Sequence, residues 1–143
     1  MAGREIKVLF YCIGNSCRSP MAEAICRHLG GEKVIAASAG VAPLRAVSPE
    51  ALEALSLLGI DASGLSSKHL SEVPVRDFDL VVSLDSAFPV KTVLGSGLGV
   101  RGEDWSIPDP VGEELGSYLW VAGLLAERIE DLLRREGVLE KRA

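Results

Sequence analysis

Cysteine is scarce in this sequence of 143 residues: there are three, an odd number, which does not frame a disulfide-stapled secreted domain. Histidine is scarcer. His28 and His69 stand apart, without the paired cysteines or histidines at short spacing that zinc needs, so no metal site is expected. No run approaches the ~18 apolar residues of a membrane span, and the apolar stretch near the N-terminus lacks a signal peptide's length and cleavage region. An excess of positive charge is also missing. The formal net charge of -5 argues against general nucleic-acid or anionic-membrane binding, though not against a local basic anion site. Repeats, low-complexity segments and long linkers are absent. A single cytoplasmic domain spanning 1–143 is the expectation.

What is present is enough apolar residue for a core, 48% of the chain, in a length that buries roughly 68–70% of its unfolded surface. Strand and helix patterns alternate. Val8 to Tyr11, Val34 to Ala37 and Phe78 to Leu84 read as buried strands. A helix-like run spans Met21 to Leu29. Another helix starts at Ser48, with Pro49 at its first position and Glu50 in its first turn. Its apolar positions Ala51, Leu52, Leu55 and Leu58 follow helical spacing, and Gly59 closes it. The last helix is expected over 113–136, with Leu115, Leu119, Ala122, Leu125, Ile129, Leu132 and Leu133 as its buried stripe and Gly137 as its cap. Such alternation implies an α/β fold with a mostly parallel sheet covered on both faces, whose ligands sit beyond the carboxyl ends of the strands.

One segment at such an end carries the chemistry: Cys12-Ile13-Gly14-Asn15-Ser16-Cys17-Arg18-Ser19-Pro20. A thiol leaving a strand faces the backbone N–H groups of a tight loop and of a helix N-terminus, an arrangement that stabilises anions, including a thiolate. Arg18 brings a planar guanidinium able to hold two oxygens of a tetrahedral oxyanion. Gly14 gives the turn backbone freedom, Asn15 tolerates left-handed geometry, Ser19 can donate to the Cys12 sulfur, and Pro20 fits the first helical position. Cys12 as nucleophile and residues 13–19 as cradle are therefore expected.

This loop resembles that of the low-molecular-weight protein tyrosine phosphatases and the arsenate reductases of the same fold. The resemblance continues through Ser38-Ala39-Gly40, Gly59 to Ser63, Asp79 to Val82 and Pro108-Asp109-Pro110, and so covers about 5–136. It implies a three-layer fold with a four-stranded parallel sheet flanked by helices, and covalent catalysis through a thiophosphate on Cys12. It also implies that Asp109 is the general acid and base, protonating the leaving oxygen and then activating water. The substrate would be a phosphorylated protein or a small aryl phosphate, with no cofactor.

The two branches divide on other residues. Thioredoxin-linked reductases carry two further cysteines after the third strand, where this chain has Asp85 and Thr92. The reductases' potassium site would draw on Asn15, Glu23 and Ser38, but Lys68 falls near its further acidic position. Phosphatases usually follow Asp-Pro with aromatics, where this chain has Val111 and Gly112. Phosphomonoester hydrolysis is the leading expectation. An arsenate reductase resolved by an external thiol is the alternative, and a non-catalytic oxyanion-binding module a remote one. Cys17 is either a packing residue or a thiol able to trap Cys12 in a reversible disulfide, Cys26 an inert core residue, and Trp105 a wall of the site or an anchor of its loop. Gly97 to Gly102 fits GxGxxG but lacks the strand-turn-helix context of a dinucleotide site, and so reads as loop. Lys141-Arg142 reads as a solvated tail.

Overall fold

The computed structural model describes residues 5–44, 46–95 and 99–140. Lys141-Arg142 and the Gly97 end of the GxGxxG run lie outside them. Four strands form one parallel sheet in the order β2-β1-β3-β4: β1 Ile6–Cys12, β2 Val34–Gly40, β3 Leu80–Ser83 and β4 Arg101–Asp104. Four α-helices accompany them: α1 Arg18–Gly30, α2 Pro49–Leu57, α3 Val90–Leu94 and α4 Leu115–Arg135. Among the described residues no helix is long and apolar enough to cross a membrane.

β1 shows how the sequence sets the layers. Successive side chains point to opposite faces. Val8, Phe10 and Cys12 join the large core under α1, α2 and α4, while Leu9 and Tyr11 join a smaller cluster with Ala39, Leu70, Phe78, Val81 and Val90. Burial on both faces explains why this strand is apolar nearly throughout. The second face is thinly covered, by five-residue α3 and by short 3-10 turns.

Several boundaries differ from the sequence expectation. β1 reaches Cys12, which pairs with Gly40 of β2, so the thiol is the last residue of the strand. α1 begins at Arg18, three residues before the apolar run, and Pro20 takes the third helical position instead of the first. A proline is tolerated there because the N–H groups of the whole first turn have no intrahelical acceptor. In α2 the buried residues are Ala51, Ala54 and Leu55, whereas Leu52 and Leu58 are exposed and Leu58 is the cap. In α4 the buried stripe includes Tyr118 and Val121, while Leu115 and Leu119 are only half-buried. Gly137 follows the Glu136 cap with φ +78° and closes the helix. β4 went unread because its residues, Arg-Gly-Glu-Asp, are polar and mostly exposed, as an edge strand allows. The Arg101–Gly102 end of the glycine run is thus strand, with Val90 packed where a Gly102 side chain would stand.

Candidate active site

The carboxyl ends of β1, β2 and β3 lie level, so Cys12, Gly40 and Ser83 mark one edge of the sheet. The loop from Cys12 to α1 folds over that edge. The carbonyls of Cys12, Ile13, Gly14 and Ser16 accept hydrogen bonds from the N–H groups of Val41, Ala42, Leu44 and Ser48, at 2.8 to 3.1 Å. With the carbonyls turned outward, the N–H groups of residues 14–17 have no acceptor among the described residues. Backbone amides that converge on one cavity without a protein acceptor form an arrangement able to hold an anion.

The loop closes this tightly because Gly40 has no side chain. A Cβ there would come within 2.6 Å of the Ile13 carbonyl oxygen and 2.9 Å of the Asn15 nitrogen. Asn15 itself adopts φ +48°, the left-handed region that asparagine tolerates better than most residues.

Buried side chains orient the Cys12 thiol. The backbone N–H of Lys68 donates to Asn15 Oδ1 at 2.8 Å, which fixes the amide so that Nδ2 donates to Ser19 Oγ (2.8 Å) and Ser38 Oγ (3.0 Å). Ser38 Oγ in turn donates to Glu23 Oε1 at 2.6 Å. Ser19, already accepting from Asn15, lies 2.9 Å from Cys12 Sγ and 3.3 Å from the Ala39 carbonyl, to either of which its hydroxyl can donate. The expected Ser19 contact is thus present.

Arg18 is equally constrained. Nη1 donates to the carbonyls of Ile107 (2.9 Å) and Leu84 (3.2 Å), and Nη2 to Asp85 Oδ2 at 2.8 Å. Burial works against the Asp85 carboxylate, but the Ala87 N–H and the Arg18 guanidinium outweigh it and lower its pKa. Asp109 Oδ2 lies 3.6 Å from the same Nη2, and its side chain is 44% exposed. Sequence reasoning met Asp85 where the thioredoxin-linked reductases carry a cysteine and overlooked it as the anchor of Arg18. Its place just after a parallel strand was the available signal.

A cavity of about 150 Å³ opens above Cys12 and is lined by Ile13, Gly14, Ser16, Cys17, Arg18, Ala42, Leu44, Asp109 and Val111. No aromatic ring stands in its walls. Trp105 is not among them. It packs against Phe10, donates to Glu103 Oε1 at 3.1 Å and lies beneath the Arg128 guanidinium, so it anchors the loop to the core. Cys17 and Cys26 are both buried. Burial raises the Cys17 thiol's pKa despite contacts with Ser16, Tyr118 and Ser48, and pushes Cys26 to about 12.

The residues on which the reductases' potassium site would draw come together without suiting a cation. Lys68 Nζ donates to the Ser38 carbonyl at 3.1 Å and the Ser66 carbonyl at 3.0 Å, and Glu23 is paired with Arg27. An ammonium already holds that carbonyl, and its charge repels a second cation. His69 turns its Nδ1 to Ser71 and stands apart from His28.

Comparison with known proteins agrees with this geometry. The sequence model of the low molecular weight phosphotyrosine protein phosphatases matches residues 7–142. The glutaredoxin arsenate reductase of Synechocystis sp. is 34% identical over 137 residues, covering 90% of this chain and 97% of that protein. The solved structure of an arsenate reductase in the phosphate binding state is 35% identical, with a TM-score of 0.77 over 91% of this chain and 98% of that one. The tyrosine phosphatase Wzb from Escherichia coli K30, in complex with sulphate, shares the fold at TM-score 0.81 and 23% identity, over 92% and 98% of the two chains.

Proposed function

This chain belongs to the low molecular weight phosphotyrosine protein phosphatase family, and from that premise we propose that it reduces arsenate through Cys12, with an external thiol completing the cycle. The observation that carries this is the cavity itself: amides without a protein acceptor and Arg18 around Cys12, suited to an oxyanion, and no aromatic walls for a phosphotyrosine ring. The similarity to a glutaredoxin arsenate reductase supports it and moves the reading from the phosphatase that the sequence put first to the reductase. Three unbridged cysteines fit a reducing compartment such as the cytoplasm.

In this mechanism the Cys12 thiolate attacks arsenic while the loop amides and Arg18 hold the remaining oxygens. An S–As bond forms and one oxygen leaves as water, its proton supplied from the Asp109 side of the cavity. A thiol then attacks the Cys12 sulfur. The S–S bond forms, the S–As bond breaks, and its electron pair stays on arsenic, which leaves as arsenite. A second thiol frees Cys12. Arsenate and two thiols thus give arsenite, a disulfide and water.

A second reading rests on Asp109. This carboxylate lines the cavity above Cys12 and can protonate an ester oxygen, as phosphomonoester hydrolysis through a thiophosphate requires. A paired assay separates the two: one purified sample, arsenate with glutathione or glutaredoxin, and an aryl phosphate. Arsenite formation is expected. Brisk ester hydrolysis with no arsenite from any thiol donor would return the phosphatase to first place.

A further inference from the structure

We propose that the buried hydroxyls of Tyr11 and Ser83 are positioning groups for Arg18, acting through the turn that carries Asp85. The role rests on the oxyanion reading of the cavity, which the reductase and phosphatase mechanisms share. Tyr11 precedes Cys12 on β1 and is paired in register with Ser83, the last residue of β3. Cys12 belongs to the large core, whereas Tyr11 is fully buried in the smaller cluster on the other face of the sheet. A phenylalanine would fill the same space. A buried phenol, by contrast, needs a hydrogen-bond partner.

That partner is on the turn. Tyr11 Oη donates to the Phe88 carbonyl at 2.6 Å. Ser83 Oγ lies 2.8 Å from the same carbonyl and 3.1 Å from the Asp85 carbonyl, to either of which it can donate, and accepts from the Asp85 N–H at 3.4 Å. The Phe88 N–H closes the turn on the Asp85 carbonyl at 3.0 Å, and the Ala87 N–H donates to Asp85 Oδ1 at 2.9 Å. Just beyond, Asp104 Oδ1 takes the Val90 N–H at 2.8 Å. With Oδ1 held in this way, Oδ2 faces Arg18 Nη2. Burial pushes the Tyr11 phenol up to about 12 despite its contact with Ser83, so it stays a donor through the neutral range.

Arg18 needs this constraint. Its Nη1 is held by two backbone carbonyls, but its Nη2 by a carboxylate that can turn. Asp109 Oδ2 lies 3.6 Å from the same Nη2, so two carboxylates compete for one edge of the guanidinium. When the Asp85 turn slackens, the fork is free to swing toward half-exposed Asp109 and away from the oxyanion. A binding group held to within about 0.5 Å by packed neighbours binds more tightly than one that its ligand must order. Tyr11 and Ser83 supply that hold from the face of the sheet opposite the large core.

The test is calorimetry with inorganic phosphate, with circular dichroism and melting temperature as controls for folding. Tyr11→Phe should keep the fold and bind phosphate roughly 3- to 10-fold more weakly, as the loss of one hydrogen bond implies. Tyr11→Phe combined with Ser83→Ala should lose more than roughly tenfold. Added to Asp85→Ala, Tyr11→Phe should change affinity by less than roughly twofold, because the group it acts through is gone. Val81→Ala removes packing from the same cluster but no hydroxyl, and should lower the melting temperature while leaving affinity within roughly twofold of wild type. Wild-type affinity in Tyr11→Phe, an undiminished effect beside Asp85→Ala, or an equal loss in Val81→Ala would overturn the role. If Asp85→Ala binds too weakly to measure, the comparison of Tyr11→Phe with Val81→Ala decides alone. A wild-type protein that binds no phosphate would remove the oxyanion reading itself, and this role with it.

Discussion

Single atoms decide most of this chemistry. Cys12→Ser should lose turnover while keeping phosphate affinity, because the loop amides and Arg18 remain but a hydroxyl is too weakly acidic to serve as the nucleophile; calorimetry with phosphate and an arsenite assay check both halves. Arg18→Lys should also fail, since a point charge cannot reproduce a planar fork already anchored on Asp85 and two carbonyls. Asp85 gives a pH dependence. Its pKa is lowered in the fold, so the stability it contributes is present above the ordinary carboxylate range and is lost as pH falls through the depressed value. Asp85→Asn should therefore flatten the acid limb of an unfolding-against-pH curve, and an unchanged limb would remove Asp85 as the anchor. Cys26, pushed to about 12 by burial, should resist iodoacetamide in the native protein at pH 8, as mass mapping would show.

At the level of elements, the site depends on how closely β2 approaches the loop. Gly40→Ala would press a methyl group onto the Ile13 carbonyl and the Asn15 nitrogen. A loop displaced by about 1 Å should lose activity roughly 10²-fold, with melting temperature changed far less than turnover; equal activity in the two proteins would contradict the contact. This dependence was invisible in the sequence, where Gly40 counted only as part of a weak motif. The loop residues were legible because thiol, glycine, asparagine, hydroxyl and arginine fall within eight consecutive positions and their chemistry is local. Asp85, Lys68 and the amides of Val41, Ala42, Leu44 and Ser48 were not, because they reach the loop from other parts of the chain. β4 was missed for another reason: a polar edge strand carries no apolar alternation to read. Trp105 was ambiguous in sequence because an indole serves equally as wall or anchor, and only Phe10 and Arg128 resolve it.

Across the whole molecule, the two faces of the sheet are unequal. Leu125 and Ile129 of α4 are fully buried in the large core, and Leu125→Ala should cost about 2–5 kcal/mol by denaturant titration. Trp120 on the same helix is 58% exposed, and Trp120→Ala should stay within about 0.5 kcal/mol of wild type. The opposite face, under α3 and the 3-10 turns, has a consequence for heat inactivation. Local opening begins where few apolar contacts resist it, and the chain that supplies Lys68 to Asn15 runs into the first of those turns. Amide hydrogen exchange should therefore be fast across 66–77 and slow through β1 and α4. On warming, the cradle should lose its brace, and the protein its activity, several degrees before the far-ultraviolet circular dichroism of α4 begins to fall.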